Sequence, residues 1–166
     1  MAENAAGSRK LQATLASRLA LVDADALDFW LGTWACTWDG GHGTNTITRE
    51  LDGRVVQERF EAIEPEPFSG LSVSVHDGDT WRQTWVDSSG SYWTFVGEQE
   101  GDTVIFATPV PVDADQVFKR MMFSHIAADG FDWRWEFSAD RASWEIRWEI
   151  RYRRLNASNA ARHTPA

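Results

Sequence analysis

Along the last hairpin of the chain, large apolar and charged residues alternate with a period of two. Phe131, Trp133, Trp135 and Phe137 are interleaved with Asp132, Arg134 and Glu136; further on, Trp144, Ile146, Trp148, Ile150 and Tyr152 are interleaved with Glu145, Arg147, Glu149 and Arg151. Successive side chains of a strand point to opposite faces, so each segment has one apolar and one charged face. One register sets Asp132 opposite Arg151, Arg134 opposite Glu149 and Glu136 opposite Arg147, and makes all three cross-strand pairs complementary. The aromatic faces then point inward together, and the charged faces form an outer ladder in water.

The same reading extends back to Trp34. Short apolar runs are separated by Asp39-Gly40-Gly41, Asp52-Gly53, Asp77-Gly78, Ser89-Gly90, Glu100-Gly101, Asp129-Gly130 and Ser138-Ala139-Asp140, which are hairpin turns by composition. Two joins are longer, 64–70 and 108–117, each with two prolines. The pattern predicts strands near 33–38, 44–51, 54–62, 71–76, 80–87, 92–97, 103–107, 119–126, 131–137 and 143–152. An all-β meander of roughly eight to ten short strands favours an antiparallel up-and-down barrel, because closure leaves no exposed edge. Ahead of it, Leu11, Leu15, Leu19 and Val22 recur at helical spacing and predict a short N-terminal helix. The expected organisation is a start with that helix over 1–25, a barrel over 26–155, and a disordered tail over 156–166.

Length and charge narrow the class of function. A chain of 166 residues fits one domain. A formal net charge of −9 argues against nucleic acid or anionic lipid as partner. A single cysteine, Cys36, excludes an internal disulfide, and no Cys/His spacing suggests zinc, so neither metal nor cofactor is expected. No apolar run is long enough for a membrane helix and no secretion signal is recognisable, so a cytoplasmic protein is expected. Ten tryptophans in such a chain then require an explanation.

Parity supplies candidates for the barrel lining. A turn at Asp52-Gly53 pairs Arg49 with Val56, Ile47 with Glu58 and Asn45 with Phe60. The apolar face of that hairpin carries Asn45, Arg49 and Glu58 inward, with Arg49 and Glu58 as diagonal neighbours. Trp81, Gln83, Trp85 and Asp87 share a face, read as inward beside Val73 and Val75; a shorter turn would align them with Ser72, Ser74 and His76 instead. Trp34, Cys36 and Trp38 share the inner face of the first strand, and the Asp129-Gly130 turn puts Met122, Ser124 and Ile126 on the Trp133 face. His76 and His125 are expected outside, and His42 in a solvated Gly-rich loop, with a haem ligand or proton shuttle as its second reading.

The stretch Asp28-Phe29-Trp30-Leu31-Gly32-Thr33-Trp34, with its Gly-x-Trp, resembles the opening of lipocalin-like (calycin) barrels. Together with 81–90 and the closing Trp-Glu-Ile-Arg-Tyr-Arg-Arg, it is similar to an uncharacterised bacterial lipocalin-like family of unknown function. The likeness runs from about Ala26 to Arg154. It implies a fold and brings no reaction or catalytic residues; larger lipocalin-like groups include carriers of small apolar molecules, a haem-binding branch and a few cyclases.

Two uses of the interior follow, beside a barrel simply filled by its tryptophans or one acting through its outside, for instance as a homodimer. The first is a binding barrel for a small hydrophobic molecule, aromatic or polyene. Trp34, Trp38, Trp85, Trp133, Trp135 and Trp148 would supply its walls, and Asn45, Arg49, Glu58, Gln83 and Ser124 its polar groups. The second is a cofactor-independent cyclase, isomerase or dehydratase. There Glu58 or Asp87, desolvated and titrating upward, would transfer a proton while Arg49 stabilises negative charge. The bland reading of Arg49 and Glu58 is a buried pair that satisfies itself.

Overall fold

Gly- and Asp-rich turns separate most of the strands in the computed structural model, which describes residues 22–155. A 3₁₀ turn, Asp28–Trp30, precedes β1 (Gly32–Trp38), β2 (Gly41–Glu50), β3 (Val55–Glu64), β4 (Phe68–His76) and β5 (Trp81–Asp87). Then come β6 (Tyr92–Glu100), β7 (Thr103–Ala107), β8 (Phe118–Ala127), β9 (Gly130–Ser138) and β10 (Glu145–Arg154). Each strand pairs antiparallel with the next, and β10 returns to β1, so the ten strands form one closed barrel. Every expected strand has its counterpart. The expected helix lies outside the described residues apart from Val22, and so does the tail over 156–166. Among the described residues, no helix is long and apolar enough to cross a membrane.

One end of the barrel is shut. Val22, Leu27 and Trp30 are fully buried there, Trp30 packs edge-on to Phe123 at 5.2 Å, and Phe29 packs on Phe131 at 5.4 Å. Arg154 closes the seam. Its guanidinium donates to the carbonyl oxygens of Leu31 (2.6 Å), Phe29 (3.0 Å) and Ala128 (2.7 Å), and lies 4.0 Å over the Trp34 ring. Gly32 has φ of +122°, a conformation that favours glycine, and a Cβ there would stand 2.5 Å from Arg154 Nη1 and displace the guanidinium. A fully buried Val or Leu side chain contributes roughly 1.5–3 kcal/mol, so these residues stabilise the plug at this end. At the opposite end Trp38, Trp85, Trp93, Trp133, Trp135 and Trp148 are only part-buried.

The Asp52-Gly53 hairpin has the expected register, with Ile47 opposite Glu58, Arg49 opposite Val56 and Asn45 opposite Phe60. Trp34 and Cys36 are fully buried on the inner face of β1. In the last hairpin, Asp132 faces Arg151 and Arg134 faces Glu149, with ion pairs at 3.0 and 2.8 Å. The third expected pair does not form. The register shifts between Ile146 and Trp148, so Glu136 bridges Arg120 at 2.6 Å while Arg147 bonds Glu145 at 2.8 Å. Ile146 is thereby turned outward, and Trp144 covers Arg120 at 4.0 Å on the outer face.

Two further expectations are corrected by register. Trp81 and Gln83 do face inward, but beside His76 and Ser74 rather than Val75 and Val73. The valines point outward, and His76 sits inside the closed end, 2.7 Å from the Val22 carbonyl oxygen and packed on Trp81. On β8 the inward residues are Met121 and Phe123, opposite Trp135 and Trp133; Met122 and Ser124 face outward. A bulge between Ser124 and Ala127, where His125 adopts φ of +50°, shifts the alternation by one residue. His125 is outside as expected, 3.0 Å from Asp132.

Candidate functional site

The open end leads into a cavity of about 230 Å³. Its walls are mainly indole and phenyl rings: Trp85 from β5, Trp93 and Phe95 from β6, Trp133 and Trp135 from β9, Trp148 from β10. Trp133 lies parallel to Trp135 at 6.3 Å and perpendicular to Trp148 at 5.8 Å. Phe60, Phe68, Met121 and Ile150 complete the apolar surface. Ring packing of this kind holds each wall through its neighbours, so the cavity is bounded by rigid faces.

Glu58 and Tyr152 form the buried polar part of the lining, and Asp87, Ser89 and Ser91 its polar part at the mouth. Glu58 is buried and accepts hydrogen bonds from Asn45 Nδ2 and Ser72 Oγ, both at 2.7 Å. Asn45 Nδ2 also reaches the Tyr152 hydroxyl at 3.2 Å. Burial pushes the Glu58 pKa up to about 7, against the hydrogen bonds from Ser72 and Asn45 that favour the carboxylate. Burial likewise raises the Tyr152 phenol and the Cys36 thiol, so both are neutral where Glu58 titrates. Cys36 is a buried thiol, as expected.

At the mouth, Asp87 accepts from Trp85 Nε1 at 2.9 Å and from the backbone N–H groups of Ser89 (2.9 Å) and Ser91 (3.1 Å). Partial burial works to raise its pKa, but these donors outweigh it, and the carboxyl stays below its ordinary value. Asp87 therefore does not titrate upward. It is an ionised anchor that fixes the Trp85 indole. On the same rim the Lys119 ammonium is buried, paired with Asp113, and stands 4.2 Å over Trp93 and 4.7 Å over Phe137.

Of the residues expected at the site, Glu58, Trp85, Trp133, Trp135 and Trp148 line the cavity, with Asp87 at its rim. Arg49 does not. It sits at the closed end, paired with Asp28 and donating to the Gly53 carbonyl oxygen at 3.0 Å, so the Arg49–Glu58 pair is absent. Its position two residues before the turn lets a long side chain swing out to Asp28 rather than enter a low-dielectric interior. Ser124 faces outward through the β8 bulge. Trp34 lies in the plug beneath Arg154, and Trp38 packs behind the wall on Trp148 at 5.1 Å. Asn45 and Gln83 are buried outside the lining: Asn45 supports Glu58, and Gln83 donates to Ser74 Oγ at 3.1 Å. His42 belongs to β2, exposed and 3.8 Å from Glu64.

Trp93 and Phe95 were missed by sequence reasoning, although both carried a signal. Tyr92-Trp93-Thr94-Phe95-Val96 alternates as the last hairpin does, and the Ser89-Gly90 turn sets Trp93 opposite Trp85 and Phe95 opposite Gln83. Ser72 entered only through the shorter-turn alternative, which was set aside because the more apolar Val73 and Val75 competed for the same face. In comparisons with known proteins, no family model matches the sequence and no curated protein is significantly similar to it.

Proposed function

We propose that this protein is a binding barrel of lipocalin-like type for a small hydrophobic molecule with an aromatic body. The observation that carries the reading is the cavity itself, walled by Trp85, Trp133 and Trp148 and containing one buried carboxyl, that of Glu58. Rigid apolar walls with a few polar groups at fixed positions are what small-molecule recognition requires. Size narrows the ligand. A dry cavity of roughly 150 Å³ holds benzene, so about 230 Å³ suits a compact molecule of one or two rings better than an extended polyene. The closed antiparallel barrel that follows the Gly32-Thr33-Trp34 opening supports the lipocalin-like reading.

The second reading, a cofactor-independent cyclase, isomerase or dehydratase, is favoured by one observation, the Glu58 pKa raised to about 7 inside the cavity. A carboxyl in that range can serve as general acid or base near neutral pH. Arg49 and Asp87 have no part in it, which leaves Glu58 as its proton-transfer group.

Titration with a panel of one- and two-ring aromatics, read by tryptophan fluorescence and thermal shift, tests the binding reading. Met121→Trp, which fills the cavity from β8, should abolish the response. A panel without any response, or a response unchanged in Met121→Trp, overturns it.

A further inference from the structure

The lining of the cavity carries two carboxyl groups and, among the described residues, no lysine, arginine or histidine. The Lys119 ammonium at the rim is already engaged by Asp113, so an acidic ligand would bring its carboxylate toward Glu58 and Asp87 without a free cation to meet it, and like charges in a low-dielectric site repel strongly. From this asymmetry we infer that the ligand is a cationic amine on an aromatic body, its ammonium directed at Glu58 and its rings against the tryptophans. The inference rests on the binding reading and names the ligand class for that site.

Four observations converge on it. Glu58 is buried with neutral donors only, Asn45 and Ser72, and the Arg49 that parity placed beside it is held at the closed end by Asp28. A charge-assisted partner is what such a carboxyl lacks. The walls are built largely of indole rings, the side chains whose quadrupole attracts cations best. The barrel also holds a worked instance of this chemistry a few residues away: the buried Lys119 ammonium lies over Trp93 and Phe137 with a carboxylate, Asp113, as counter-ion. Outside the cavity, the net charge of −9 favours the approach of cations over anions.

The groups that bear on Glu58 titration are few. Tyr152 from β10 and Cys36 from β1 are both kept neutral by burial, while Asn45 from β2 and Ser72 from β4 do not ionise. An ammonium bound against Glu58 near pH 7 therefore stabilises the carboxylate and expels the carboxyl proton into solution.

The test is calorimetric titration of the protein at pH 7 with 1-naphthylmethylamine, 1-naphthalenemethanol and 1-naphthoic acid, three probes of one shape and different charge. The amine should bind about tenfold more tightly than the alcohol, and the acid more weakly than either. Repeating the amine titration in buffers of different ionisation enthalpy should show proton release, with none for the alcohol. Glu58→Gln should bring amine and alcohol to similar affinity. An alcohol or acid that matches the amine, amine binding without proton release, or an amine preference that survives in a folded Glu58→Gln overturns the inference and leaves the binding reading intact. If none of the three binds, the binding reading fails, and the inference falls with it.

Discussion

Ser72 donates to the Glu58 carboxylate at 2.7 Å from the directly opposite position on the neighbouring strand. The hydroxyl supports the charge without neutralising it, and burial prevails, leaving the pKa at about 7 against an ordinary value of 4.5. Below the ordinary value, Glu58 is protonated in both folded and unfolded chains. Between about 4.5 and 7 the unfolded chain ionises first, so this residue costs the fold roughly 3 kcal/mol as pH rises through that window, and nothing more above it. Glu58→Gln removes that dependence. Urea denaturation of both proteins at several pH values should show the variant gaining on the native protein through the window. A difference independent of pH contradicts the assignment.

Gly70 sets the position of one cavity wall. A Cβ at this position would lie 2.1 Å from the outer edge of the Trp85 indole. Gly70→Ala must therefore push the ring away from the strand and strain its hydrogen bond to Asp87. We expect a stability loss of about 1–3 kcal/mol, as for other overpacked sites, together with weakened ligand binding and a shifted tryptophan emission. Unchanged binding and emission would show that Trp85 is not a fixed wall.

Arg154 has the opposite separation of effects. It satisfies carbonyls of Phe29, Leu31 and Ala128 at the plug, across the barrel from the open mouth. Arg154→Ala should cost roughly 3 kcal/mol by leaving acceptors unpaired and removing the stack on Trp34. Arg154→Lys should recover only a small part, since an ammonium lacks the planar fork that spans three acceptors. Chemical denaturation measures both. Ligand affinity in the folded variants should be that of the native protein; a comparable loss of affinity would mean the two ends are coupled.

How much of this was legible in the sequence depends on what sets each residue's direction. The last hairpin was readable because opposite charges had to meet on its outer face, and Asp132, Arg134, Glu149 and Arg151 do meet there. β4 was not, because hydrophobicity ranks Val73 and Val75 above Ser72 and Ser74, whereas a buried carboxyl and a buried amide need hydroxyl neighbours. The valines are left 45% and 42% exposed while the serines are buried. Bulges at His125 and beside Arg147 are equally silent in the alternation pattern, and each reverses the residues beyond it. Arg49 was read as looking into the barrel beside Glu58, but its side chain turns out to Asp28, which is close only once the barrel closes. The tryptophan excess is accounted for in two parts: Trp30, Trp34 and Trp81 fill the closed half, while most of the others ring the cavity.

Whether that ring encloses space is the point on which the account stands. Crystals of the protein pressurised with xenon report it without presupposing a ligand, because apolar cavities of this size take up the gas. Xenon is expected between Phe60, Trp85, Trp133 and Trp148, within the cavity of about 230 Å³ that Glu58 also lines. An interior filled by side chains, with no xenon and no bound molecule among those rings, would contradict it.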